Sequence, residues 1–215
     1  MAYPIPQPRY TEDEYLAFER KAEERSEYVD GVIYKMAGES PEHGRISANL
    51  VRLVGNRLIG TDCQDFTKDM KVRSGPLPRN PRNTKGLYSY PDLVVVCGKL
   101  QVLDEYRDVL INPSVIIEVL SDSTEKFDRK QKFLRYQKYL PVLTDYVLVS
   151  QDEPLIEILY RETSAFASWR YFFADGLESA IRIPSIDCEL KLAEVYYRIT
   201  FPLPEVELEE TPLQS

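Results

Sequence analysis

Pro91-Asp92-Leu93-Val94-Val95-Val96-Cys97 and Val115-Ile116-Ile117-Glu118-Val119-Leu120 are two short, β-branched runs bounded by Gly or Pro. That is how strands buried on both faces read. Each run holds one carboxylate. Strand alternation puts Asp92 on the face of Val94 and Val96, and Glu118 on the face of Ile116 and Leu120, so both acids lie on otherwise apolar faces. An ionised acid left in low dielectric without a counter-charge costs several kcal/mol or is driven to take up a proton, and a bound divalent cation is one way to offset that cost. The pair therefore reads as a metal site. Downstream, Ser123 or Thr124 is placed to cap a helix running to about Tyr139 and stopped by Pro141, with Asp128, Lys132 and Tyr136 on one face.

Upstream, Thr11 with Glu14 forms a capping-box pattern that opens a helix over about 12–24, with Tyr15, Phe18 and Ala22 at helical spacing. Asp30-Gly31 between two strand-like runs marks a hairpin carrying Glu27. Ser40-Pro41 then starts an amphipathic helix whose apolar face is Ile46, Leu50, Val54 and Leu58, ended at Gly60. Residues 63–73 read as one or two strands, and Ser74–Leu87 as a long exposed loop. Beyond Pro141, strands are expected at Asp145–Val149, Leu155–Tyr160 and Trp169–Phe173, with a short helix over Leu190–Tyr197.

The chain has 215 residues, 43% of them hydrophobic, which suits one compact α/β domain. No stretch approaches the roughly 18 apolar residues of a membrane span, and the proline-rich start is unlike a signal peptide, so a cytoplasmic protein is expected. Cys63, Cys97 and Cys188 are far apart and lack C-x-x-C spacing; they read as ordinary buried thiols, with neither disulfide nor zinc. A net charge of −8 argues against a nonspecific basic nucleic-acid binder. Two basic clusters flank the acidic pair, however: Lys68, Lys71, Arg73, Arg79, Arg82 and Lys85, then Lys126, Arg129, Lys130, Lys132, Arg135 and Lys138. Each is either solvated surface charge or a surface for an anionic substrate. A Gly-rich phosphate loop, a nucleophile elbow and a His-based triad are absent, which disfavours nucleotide hydrolysis and acyl transfer.

The combination of Pro91-Asp92, Glu118-Val119-Leu120-Ser121, Ser123-Thr124, Asp128, Lys132 and Tyr136, together with Glu27, Asp30-Gly31, Met36, His43 and Asp145-Tyr146, resembles the Uma2 (DUF820) family. This is a family of endonucleases in the PD-(D/E)XK superfamily, abundant in cyanobacteria. The resemblance runs from about Thr11 to Tyr197. It implies a restriction-endonuclease-like fold, a central mixed sheet flanked by helices, with one domain over 11–199 and flanking tails at 1–10 and 200–215. It also implies Asp92 and Glu118 as Mg²⁺ or Mn²⁺ ligands, Glu27 as an additional metal-binding acid, and DNA as substrate. The superfamily lysine belongs two residues after Glu118, where this chain has Leu120. In the Uma2 pattern it is relocated to the following helix, at Lys132, with Lys126 and Lys130 as rivals. His43, the only histidine, reads either as a phosphate contact or proton shuttle, or as a surface group. Cutting both strands of a duplex usually takes two sites, so a homodimer is expected. The alternative function is a catalytically silent nucleic-acid-binding or regulatory module on the same fold.

Overall fold

Two sheets meet where the chain passes through Tyr90-Pro91-Asp92. The computed structural model describes residues 9–77, 82–162 and 168–201, so most of the two tails, and Arg79 of the first basic cluster, lie outside the described residues. The first sheet has the order β2-β1-β5-β4-β7, built from β1 (Ser26–Val29), β2 (Val32–Lys35), β4 (Lys71–Ser74), β5 (Leu87–Ser89) and β7 (Val109–Leu110). The second has the order β11-β10-β9-β8-β6-β3, built from β3 (Cys63–Thr67), β6 (Leu93–Cys97), β8 (Val115–Val119), β9 (Asp145–Val149), β10 (Leu155–Arg161) and β11 (Trp169–Asp175). Only β8 and β9 run parallel in this sheet, which makes it mixed, as expected for a restriction-endonuclease-like fold.

Helix α1 (Glu12–Glu19) carries the full capping box: Thr11 Oγ1 accepts from the Glu14 N–H at 3.2 Å, and Glu14 Oε2 accepts from the Thr11 N–H at 2.8 Å. It is shorter than expected. Glu19 turns inward to accept from the Ser26 N–H at 3.0 Å, and Arg20 reaches across to Asp104 and Asp108, so the chain leaves the helix there. The buried face is Glu12, Tyr15, Leu16 and Glu19, whereas Phe18 is exposed. In the β1–β2 hairpin, Asp30 and Gly31 both have positive φ, 49° and 94°, the geometry a two-residue type I′ turn requires. Helix α2 (Pro41–Leu58) is capped by Ser40 Oγ accepting from the His43 N–H at 3.0 Å, and lays Ile46, Leu50, Val54 and Leu58 on the second sheet.

That sheet is buried on both faces, with alternate residues dividing between two cores. Leu93, Val95, Ile117 and Val119 face α2, while Val94, Val96, Ile116 and Leu120 face the helix that follows β8. The second helix begins without a side-chain cap from Ser123 or Thr124; the Ser121 carbonyl accepts from the Thr124 and Glu125 N–H groups instead. Its first half is a π-helical stretch, Phe127–Lys132, which continues as α3 (Phe133–Tyr139). The wide π turn offsets the roughly 40° that four residues of α-helix drift around the axis. Asp128, Lys132 and Tyr136 consequently all point inward and are buried.

Four expectations are corrected. The segment taken as an exposed loop to Leu87 ends in β5, drawn against β4 and α1 at two glycines: a Cβ on Gly75 would lie 2.7 Å from Gly86 Cα, and one on Gly86 would lie 2.5 Å from a Glu12 carboxylate oxygen. Cys63 and Cys97 stand directly opposite in the β3–β6 ladder and form a disulfide; Cys188 alone is a free buried thiol. Lys71 and Arg73 belong to no open basic patch. They are buried against Asp108 at 3.0 Å and Glu12 at 2.8 Å. The C-terminal segment forms β12 (Ala180–Ile183) and β13 (Cys188–Lys191) before a single turn, α4 (Leu192–Val195), because Ile181, Ile183, Cys188 and Leu190 alternate inward with period two.

Candidate active site

The site forms where the two sheets adjoin. Extending the β6–β8 register, Leu93 opposite Ile117, by one residue sets Asp92 opposite Glu118. Asp92 sits at a bend just before β6, and its Oδ2 accepts from the Val119 N–H at 2.8 Å. Its Oδ1 lies 2.8 Å from His43 Nε2 and 3.5 Å from Ser47 Oγ, both in the first turns of α2. Glu27 comes from the first sheet, on β1, and is fixed by the Tyr90 N–H at 3.1 Å. Acids from both sheets therefore converge on the crossover segment.

Lys132 is the hub. Its ammonium lies 2.9 Å from Asp128, 3.3 Å from Glu118 and 3.4 Å from Glu27, and the residue is only 4% exposed. Lys126 and Lys130 are exposed on other sides of the same helix. Of the three lysines considered, the fold brings Lys132 to the acids. Tyr136 donates toward Glu118 at 3.4 Å and shares a 2.7 Å hydrogen bond with Ser89 Oγ, which fixes the helix against β5.

The charges do not balance. Glu27, Asp92, Glu118 and Asp128 face one buried ammonium and one imidazole. Burial pushes the Glu118 carboxyl well above the ordinary range, and Asp128, Asp92 and Glu27 push it further, against the pull of Lys132. Burial alone would lower Lys132, but Glu118, Glu27 and Asp128 outweigh it and hold the ammonium well above its usual value. For His43, burial lowers the pKa, while the Asp92 hydrogen bond and charge, followed by Glu39, raise it further than Lys68 and burial bring it down. A surplus of buried negative charge with oxygen donors fits a divalent cation.

Among the described residues, the one set of three His, Cys, Asp or Glu side chains whose ligand atoms all lie within 4.8 Å of one another is Glu39, His43 and Asp92. Glu27 and Glu118 instead lean on Lys132. Glu39 and Lys68, which form an ion pair beside His43, were not legible as site residues. Glu39 stands four before His43, a spacing that meets on one helix face, but it precedes the helix cap.

The model of the Uma2 family, described as "Putative restriction endonuclease", matches residues 12–188. An uncharacterized Synechocystis protein, slr1290, is 33% identical over 199 residues, covering 91% of this chain and 96% of its own length. A second, sll1609, is 35% identical over 141 residues, covering 66% of this chain and 75% of its own. Among solved structures, "a putative nuclease belonging to DUF820" from Anabaena variabilis has a TM-score of 0.67 at 19% identity, over 87% of this chain and 97% of that one; at that identity the likeness concerns the fold. Among the described residues, no helix is long and apolar enough to cross a membrane. With the family model spanning most of the chain and a relative matched over nearly its whole length, this chain belongs to the Uma2 family.

Proposed function

We propose that the protein is a divalent-cation-dependent endonuclease hydrolysing DNA phosphodiesters, with Asp92 and Glu118 as the principal metal-binding carboxylates, Glu27 as an auxiliary one and Lys132 as the catalytic cation. The observation carrying this reading is the convergence of Glu27, Glu118 and Asp128 on Lys132, with Asp92 held on the neighbouring Val119 N–H, in a nuclease family's fold. Bound Mg²⁺ or Mn²⁺ would neutralise charge developing on the phosphate and make hydroxide available near neutral pH. Lys132 stabilises the negative charge that builds as water attacks phosphorus and the bond to the leaving alcohol breaks. Asp128 holds its ammonium toward the site, Tyr136 and Ser89 steady Glu118 and the helix, and the backbone N–H groups of Val119 and Tyr90 orient Asp92 and Glu27. Lysine thus occupies the charge position that Leu120, packed in the core, leaves open.

A single domain over 11–199 and a homodimer for double-strand cutting complete the proposal. The silent-module reading draws support from Leu120 standing where the superfamily lysine belongs. Incubating the protein with supercoiled plasmid, single-stranded DNA and RNA in Mg²⁺ or Mn²⁺ separates the two. Wild type should cut DNA, Glu118→Gln should lose nearly all cleavage, Lys132→Ala should lose roughly 10²- to 10³-fold, and Lys130→Ala should stay near wild type. Binding without cleavage under every condition would transfer the protein to the silent class, and RNA-only cleavage would overturn the substrate.

A further inference from the structure

We infer that His43, with Glu39, supplies a nitrogen ligand to the cation held by Asp92, so that the site selects a first-row transition metal such as Mn²⁺ over Mg²⁺. The inference rests on the reading of Asp92 as a cation ligand and names the ion class that site takes. Asp92 Oδ2 is fixed by the Val119 N–H, leaving Oδ1 as the oxygen that faces His43. His43 Nε2 lies 2.8 Å from that oxygen and 4.0 Å from Glu39 Oε2. In an octahedron with metal–ligand bonds of about 2.1 Å, adjacent ligands stand about 3.0 Å apart and opposite ones about 4.2 Å. The two separations from His43 Nε2 sit close to those spacings, and the ligand atoms of all three side chains lie within 4.8 Å of one another.

The placement of His43 follows from the helix start. Ser40 Oγ accepts from the His43 N–H and Pro41 sets the first turn, so His43 projects from a capped end rather than a frayed one. Its side chain is only 15% exposed, so little freedom is lost on coordination. Lys68 holds the other oxygen of Glu39, orienting that carboxylate as an outer partner orients a ligand. Mg²⁺ takes oxygen ligands and gives up its water reluctantly, whereas imidazole nitrogen favours transition ions, with affinity rising from Mn²⁺ toward Co²⁺ and beyond. A mixed set of one imidazole and two carboxylates therefore discriminates against Mg²⁺.

The test needs no DNA. Titrating full-length protein with Mn²⁺ and with Mg²⁺ by calorimetry should show Mn²⁺ binding at least about 10-fold tighter, and His43→Gln should lower Mn²⁺ affinity by about 10-fold or more while changing Mg²⁺ affinity far less. Pulsed EPR of the Mn²⁺-loaded wild type should show nitrogen hyperfine modulation, absent in His43→Gln; the wild-type spectrum alone decides the matter should that variant misfold. Mn²⁺ bound without nitrogen modulation, or with equal affinity in a folded His43→Gln, would overturn the inference and leave His43 as a hydrogen-bond partner of Asp92, with the nuclease reading standing. Failure of wild type to bind either ion would overturn both.

Discussion

Replacing Lys132 with methionine keeps most of the stem volume and removes the one buried ammonium among Glu27, Glu118 and Asp128. At the observed separations of 2.9–3.4 Å, each contact is worth about 5 kcal/mol at an effective dielectric near 20 before desolvation is counted. The net cost of removing the one ammonium is about 3–5 kcal/mol: the carboxylates are left buried without a counter-charge, but the lysine's own desolvation penalty is relieved, which keeps the cost below the Coulomb sum. For a chain of this size that lowers the melting temperature by roughly 6–20 °C. Glu118, whose carboxyl burial already holds well above its ordinary range, loses the pull of Lys132 and favours its protonated form in the folded state still more. Its stability from proton uptake is complete below the unfolded value and lost as pH rises through the raised folded one, so the deficit should be large at pH 7 and shrink toward pH 4. Urea unfolding followed by circular dichroism at pH 7 and pH 4.5, with and without Mn²⁺, measures this; the cation should recover part of the loss. A deficit under about 1 kcal/mol at pH 7 would show that the acids are solvated and that no buried cluster exists in solution.

Two further outcomes are expected. Asp108 lies against Arg20 at 2.7 Å and Lys71 at 3.0 Å; burial raises its carboxyl, but Arg20 and then Lys71 bring it down to about 2. Its contribution is thus complete above about pH 4 and lost as pH falls toward 2, so Asp108→Asn should be less stable than wild type at pH 7 and nearly equal to it at pH 2. A gap that stayed constant across that range would reject the ion-pair account. For the disulfide, whose partners are 34 residues apart, the loop-entropy model gives up to about 4 kcal/mol; dithiothreitol should weaken wild type and leave the Cys63→Ser, Cys97→Ser double variant unchanged, whereas equal responses would mean the two thiols are unpaired.

What was legible in the sequence is what short-range periodicity and turn chemistry carry. The apolar alternation put Asp92 and Glu118 each on an otherwise apolar face of its own strand, and the β6–β8 pairing brings the two acid-bearing segments side by side, with Asp92 accepting from the Val119 N–H next to Glu118. Asp30-Gly31 specified its turn, and the spacing of Asp128, Lys132 and Tyr136 specified a shared helix face. Choosing Lys132 over Lys126 and Lys130 came from the family resemblance; its physical ground, the π turn that orients the helix, leaves no local signature. Glu27 reaches the site through β1 pairing with β5, and β5 is three residues hidden in a Gly- and Pro-rich segment. The same holds for Lys71 and Arg73, which looked like open basic surface and are buried against acids distant in sequence, and for Cys63 and Cys97, which only the β3–β6 register brings face to face. Glu39 and Lys68 joined His43 for that reason too. Local pattern records which face of its own element a residue takes, whereas partners far along the chain are chosen by which apolar surfaces bury together, and tertiary packing alone decides that.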